Sequence, residues 1–262
     1  MQLKVVDASK SSSRAWQVFY DIEYDWALAL GDVTELSGAT AISNPALADV
    51  WDAHRVFVSG ADFNSVRDAL SQAGIKAVVW DINRCAARDA METALRDNSF
   101  QRRAGPVQVL KKWNRPAPTS TEVIVIPARA ALDQYAELCR QWTAEDKQDA
   151  ALAHAMTLHL DDPKYDALIA LDDAGPVGMA GLQSRGDAGR LQEVYVVPTH
   201  RGRGIGSMLL DRVIELAARA QLKSIFVMTA PGNHKARALY TRLGFDLLGD
   251  YVVYMPADAT SV

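Results

Sequence analysis

A mixed α/β fold (an α+β arrangement with a mixed sheet) built in two halves is the fold class this sequence predicts. Three observations carry the prediction. Short β-branched runs alternate with segments of helical period in the order strand, helix, strand, helix, strand, and that order occurs twice. A proline-bearing polar seam at 114–121, Asn-Arg-Pro-Ala-Pro-Thr-Ser-Thr, parts the two occurrences. The 262 residues suit one large or two small domains at about 150 residues each. With 49% hydrophobic and 23% charged residues the balance is globular and argues against disorder. The expected organisation is a first domain over 1–114, a linker over 115–121 and a second domain over 122–258.

In the first half, 16–24 and 56–59 read as strands and 63–73 as a helix stopped by Gly74. A strand at 76–81, a helix at 84–96 and a last strand at 107–110 follow. In the second half, 122–126 is a β-branched run, and 132–141 and 144–160 have helical spacing. Thr143 followed by Asp146 resembles a capping box for the latter helix. Strands are expected at 165–171, 177–183 and 191–197. A long helix begins near Ile205, where Ile205, Met208, Leu209, Val213 and Leu216 fall on one stripe. A strand at 224–228 precedes a short helix from Asn233, an N-cap residue, to Gly244, a C-terminal stop, and 247–255 closes the chain with β-type residues.

Charge and cysteine usage exclude several classes of protein. Lys+Arg 28 against Asp+Glu 32 gives a net charge of -4, the wrong sign for gripping a nucleic-acid backbone. Residues 1–120 hold 14 basic and 14 acidic side chains, so the negative excess belongs to the second half. Cys85 and Cys139 cannot make a disulfide framework and lack metal-ligand spacing, so no metal is expected. Reduced thiols, the lack of an apolar signal segment over 1–18 and the shortness of every apolar run predict a cytoplasmic protein that neither enters nor binds a membrane.

The chemistry concentrates in Arg201, Gly202, Arg203, Gly204, Ile205, Gly206 and Ser207. This stretch follows a strand and Pro198 and opens the amphipathic helix. Glycines let bare amides approach a bound group, and unpaired N–H groups at a helix N-terminus favour an anion. The two arginines add charge that can pair with phosphate oxygens. A solvated glycine turn is the plainer alternative. A Walker A loop is excluded because no Gly-Lys-Ser/Thr run ends the segment, and a dinucleotide fingerprint is excluded by its late position and by Arg at the first glycine.

These residues resemble the GNAT family of acyl-CoA-dependent N-acyltransferases. The family signature Gln/Arg-x-x-Gly-x-Gly/Ala is matched by Arg201, Gly204 and Gly206. A second stretch, Asn233 through Leu239-Tyr240 to Leu243-Gly244-Phe245, carries Asn, Ala, Leu-Tyr and Leu-Gly-Phe where the family has them. The resemblance covers about 122–256 and implies a GNAT-like fold. It also implies acetyl-CoA as co-substrate, with its pantetheine arm and thioester carbonyl on amides near Val196 and Val197. Residues 201–207 would hold the pyrophosphate, Asn233 would touch the pantetheine end, and Tyr240 would protonate the departing thiolate. A thiol of pKa about 8.5 and a phenol of about 10 make that transfer feasible. A base must deprotonate the amine. Glu193, in the strand leading to the loop, is the candidate if its side chain faces the site, which one residue of register decides. A carboxylate on the next strand, used by some relatives, is missing from Phe226-Val227-Met228-Thr229.

Sliding the halves on each other sets Phe100 on Phe245 and Leu95 on Tyr240. The turn Ser59-Gly60-Ala61-Asp62 then stands where the glycine loop stands, with one glycine, an acid and no arginine. The pattern suggests a tandem, with a degenerate GNAT-like first domain, although β-α-β-α-β order is also common without duplication. The expected activity is direct transfer of an acetyl group to a small-molecule primary amine. The alternatives are a non-catalytic acyl-CoA sensor and a transferase for protein lysines or N-termini. No nucleic-acid partner is expected, and a homodimer is left open.

Overall fold

The computed structural model describes residues 12–117, 122–145 and 150–257. Two compact units emerge, each built from two stretches of chain. The first comprises Met1–Ile22 and Pro106–Gly249, the second Glu23–Gly105 and Asp250–Val262. These are not the contiguous blocks 1–114 and 122–258, because the strand before the seam serves the later unit. Val107, Gln108 and Val109 pair antiparallel with Met228, Val227 and Phe226. The amides of Lys111 and Asn114 donate to the carbonyls of Gly244 and Leu243 at 2.9 and 3.0 Å. Trp113 Nε1 donates to Asp211 at 3.0 Å, and Arg115 lies 4.2 Å over its ring, which ties down the start of the expected linker. The remainder of that linker, 118–121, lies outside the described residues.

In chain order the elements are α1 (Ser12–Leu28), β1 (Asp32–Leu36), β2 (Ala39–Ser43), β3 (His54–Val58), α2 (Phe63–Gln72), β4 (Val79–Asp81), α3 (Arg88–Asp97) and β5 (Phe100–Leu110). They continue with β6 (Ile124–Pro127), α4 (Leu132–Glu145), α5 (Ala150–Leu158), β7 (Tyr165–Asp172), β8 (Gly175–Arg185), β9 (Ala188–Val196), α6 (Ile205–Arg219), β10 (Ser224–Met228), α7 (His234–Leu243) and β11 (Phe245–Pro256).

The first unit orders its strands β6-β7-β8-β9-β10-β5. β6 through β9 are antiparallel neighbours, β9 and β10 run parallel, and β5 returns antiparallel. The apolar stripe of α6 packs Ile205, Leu209 and Val213 onto Ala180, Leu182 and Leu191 of the sheet. Each such buried side chain contributes about 1.5–3 kcal/mol. The second unit orders β1-β2-β3-β4-β11, with β3 and β4 parallel, and Val56, Phe63, Val66, Trp80 and Tyr254 form its core.

Two sequence expectations are corrected. The segment 16–24 is not a strand but part of α1. Phe19, Ile22 and Trp26 recur at three- and four-residue intervals and are buried, and this helical period overrides the β-propensity of the aromatics. Thr143 does not cap a new helix, because it lies inside α4, where its hydroxyl bonds back to the Cys139 carbonyl at 3.1 Å. Its partner in the expected box, Asp146, lies outside the described residues. The β1–β2 hairpin, turned by Gly38 at φ +73, carries no strong alternation and was not anticipated.

Candidate active site

β9 and β10 pair only over Ala188–Ser224, Gly189–Ile225, Arg190–Phe226 and Leu191–Val227. β9 then continues to Val196 with no partner on that side among the described residues, so the two parallel strands part beyond Leu191. On its other side β9 slips register against β8, with Met179 opposite Tyr195 but Gly181 opposite Gln192. The extra residue is accommodated at Glu193, which takes φ +51, a conformation uncommon for residues other than glycine.

This bulge decides which way Glu193 faces. Leu191 packs into the α6 cluster, so strict alternation would send Glu193 to the same face. With one residue inserted, Val194 and Val196 take the α6 face. Tyr195 stacks on Trp142 of α4 at 6.3 Å, and Glu193 joins it on the α4 face. There the hydroxyls of Tyr135 (α4) and Tyr165 (β7) both donate to Oε2, the latter at 2.5 Å. Burial raises the Glu193 carboxyl to about 7, and the two phenols hold it lower than burial alone would. Oε1 accepts from no group among the described residues.

The loop after β9 carries the residues for which the sequence predicts anion binding. Gly202 and Gly204 sit at φ +78 and +84, and Gly204 is the residue before α6. Among the described residues, the amides of 202–207 donate to no carbonyl or side chain. They form the concave run of N–H groups that favours an anion at a helix N-terminus. A Cβ at Gly206 would lie 3.6 Å from Val196 Cγ2, which places the loop beside the unpaired stretch of β9. Ile205 buries its side chain in the core and offers only its amide, and Ser207 is half-buried.

Arg201 and the Val197 amide are engaged otherwise than the sequence predicts. Arg201 is not turned toward the loop amides. Its Nε donates to the Val196 carbonyl at 2.9 Å, and its guanidinium pairs with Glu145 at 2.7 Å. Arg203 is exposed and has no ion-pair partner among the described residues. The Val197 amide is already engaged, donating to the Val177 carbonyl at 3.0 Å. That bond makes Val196 and Gly178 a pair whose amides point outward, so the Val196 N–H is directed toward the parting of the strands. Asn233 uses its side-chain oxygen to cap α7 on the Ala236 amide at 3.0 Å, leaving only its NH2 group.

Tyr240 lies on α7, 4% exposed, edge-on to Phe245 at 5.8 Å. Its hydroxyl bonds no described residue, and burial pushes the phenol up. His154 is exposed, while His159 is buried against Tyr165, and desolvation drives it down to about 3, so it stays neutral. The Cys139 thiol is pushed up by burial and by the charge of Glu193, which leaves it a poor nucleophile. Tyr135, Tyr165 and Glu145 were not anticipated; each is an ordinary element residue with no motif around it.

Comparison with known proteins fits this geometry. Residues 131–245 match the acetyltransferase (GNAT) family. The match falls within the second half of the chain. It is 38% identical over 96 residues to an L-methionine sulfoximine/L-methionine sulfone acetyltransferase of Pseudomonas aeruginosa, covering 32% of this chain and 53% of that protein. It is 41% identical over 75 residues to a mycothiol acetyltransferase of Clavibacter sepedonicus, covering 28% and 23%. The chain thus spans about half or less of the length of these relatives. A GCN5-related N-acetyltransferase from Kribbella flavida superposes with TM-score 0.64 at 15% identity, covering 91% of this chain and 95% of that one, so the likeness in fold reaches into both units. No helix among the described residues is long and apolar enough to cross a membrane.

Proposed function

We propose that this protein is an acetyl-CoA-dependent N-acetyltransferase that acts on the primary amine of a small molecule by direct transfer. The run of amides at 202–207 with no acceptor among the described residues, beside two parallel strands that part, carries the reading. The residues present fit acetyl-CoA, which supplies an activated acyl group. The amides of Gly202, Arg203, Gly204, Ile205, Gly206 and Ser207 would hold its diphosphate, assisted by the Arg203 side chain. Arg201 would brace the loop through Glu145 and Val196. The Val196 N–H would donate to the thioester carbonyl from a fixed position, where it is effective as charge develops. The Asn233 NH2 group would meet the pantetheine end.

Glu193 would take the proton of the amine on Oε1. An amine is mostly protonated near neutrality, and a carboxylate of pKa about 7 is a more effective base than an ordinary one. Tyr240 would hold the proton that a departing thiolate takes up. The named activities of the relatives motivate a panel of L-methionine sulfoximine, other amino acids, amino sugars and polyamines. Thiol release from acetyl-CoA in the presence of one of these amines is the expected result. Tight acetyl-CoA binding without turnover, unaffected by Tyr240→Phe and Glu193→Gln, would favour the sensor and overturn the reading.

A further inference from the structure

We propose that Tyr135 and Tyr165 are positioning residues that clamp Glu193 through Oε2 and so present Oε1 as its proton-accepting atom. This rests on the reading of Glu193 as the base. The clamp is assembled from elements distant in sequence. Tyr135 comes from α4, Tyr165 from the first position of β7, and their hydroxyls are 3.4 Å apart. Both rings are fully buried, so each hydroxyl needs a partner, and the two converge on one oxygen of one carboxylate.

The sheet makes room for this. A Cβ at Gly181 would fall 2.1 Å from the Tyr165 hydroxyl and 2.4 Å from its ring. Gly181 is not at a positive φ and turns no corner, so its lack of a side chain serves to admit the phenol. The His159 ring packs at 6.1 Å against the Tyr165 ring from behind. Bulge, glycine and phenols therefore work together. The bulge turns Glu193 to the α4 face, Gly181 lets Tyr165 reach it, and two donors on Oε2 fix the carboxylate's rotation while leaving Oε1 unoccupied. The titratable groups around Glu193 are Tyr135 and Cys139 from α4 and Tyr165 from β7, with neutral His159 behind. None carries a positive charge, so hydrogen bonding from the phenols is what offsets burial of the carboxylate.

The test is a titration of the whole protein labelled with 13C at glutamate Cδ, the Glu193 signal being assigned by its loss in Glu193→Gln. The wild-type midpoint is expected near 7. Tyr135→Phe and Tyr165→Phe should each raise it by about one pH unit, since a donor to the charged form has been removed. Gly181→Ala should act like Tyr165→Phe. Replacing tyrosine throughout by 3-fluorotyrosine, a stronger donor of nearly the same shape, should lower the midpoint, which keeps the test decisive should a Phe variant fail to fold. In turnover the acid limb should move with the midpoint, giving about a fivefold loss at pH 7 for each Phe variant. Midpoints that stay in place in the folded Phe variants and in the fluorinated protein overturn the clamp. A midpoint that moves while Glu193→Gln turns over normally overturns the base reading alone, so the two failures are distinguishable.

Discussion

The N-termini of α6 and α2 open the same structural phrase in the two units, a strand, a turn and a helix leading to a parallel neighbouring strand. They have opposite chemistry. Before α6 stand glycines at φ +78 and +84, amides without acceptors among the described residues and an exposed arginine. Before α2 stands Asp62, whose carboxylate accepts from the Ser65 amide at 3.1 Å and the Ser65 hydroxyl at 2.6 Å. Those hydrogen bonds hold its pKa below the usual carboxylate range. One helix leaves its first amides without a side-chain cap among the described residues; the other is capped by its own carboxylate.

The strands repeat the contrast. β9 outruns its pairing with β10 by five residues, whereas β3 pairs with β4 through Phe57–Asp81, close to its own end at Val58. In the second unit Arg55, Asp81 and the Tyr251 hydroxyl form a buried network, and Leu95, at the position corresponding to Tyr240, is wholly in the core. Two units that share element order can therefore differ in how their parallel strands part and in what their cores bury. The difference lies in one cap, one run of unpaired strand and one buried polar cluster.

The comparison breaks most sharply if α6 is given the cap of α2. Gly204→Asp places a carboxylate among the loop amides and should weaken acetyl-CoA binding at least 100-fold by calorimetry, because several charge-assisted bonds to phosphate are lost. Tyr240→Phe should lower kcat about 100-fold with acetyl-CoA affinity unchanged, which separates the acid from the nest. A stability measurement sharpens the account of Glu193. Its folded pKa of about 7 stands above the ordinary carboxylate value, so the native state retains a proton that the unfolded chain loses between about pH 4.5 and 7. Stability should fall across that window, by roughly 3 kcal/mol at most, and Glu193→Gln should remove the slope in denaturant titrations at pH 5 and 8. Arg203→Ala should cost more acetyl-CoA affinity than Arg201→Ala, since Arg201 is already paired with Glu145. Smallest of all, Asp62→Ala should leave acetyl-CoA affinity and turnover where they are and lower Tm slightly.

Much of the first unit is legible in the sequence because its signals are local. Asn233 caps α7 and Gly244 ends it at φ +101, as their residue types foretell, and the stripe of α6 is carried by its own spacing. The loop glycines are legible because only glycine takes those angles comfortably. What stayed hidden depends on partners far away in the chain. No residue type announces that Glu193 occupies a bulge, so its facing could not be read from alternation. The commitment of Arg201 to Glu145 joins positions 56 residues apart, and the two phenols meet Glu193 only after β7, β9 and α4 have packed. α1 misled because its aromatics favour strands, and only their burial at helical intervals shows the helix.

The most direct test is to titrate the protein by calorimetry with acetyl-CoA and, separately, with S-acetylpantetheine, which keeps the thioester but lacks the diphosphate. Acetyl-CoA is expected to bind at least 100-fold more tightly, and Gly204→Asp to erase this advantage. Equal affinity for the two, or an advantage that survives Gly204→Asp, would contradict it.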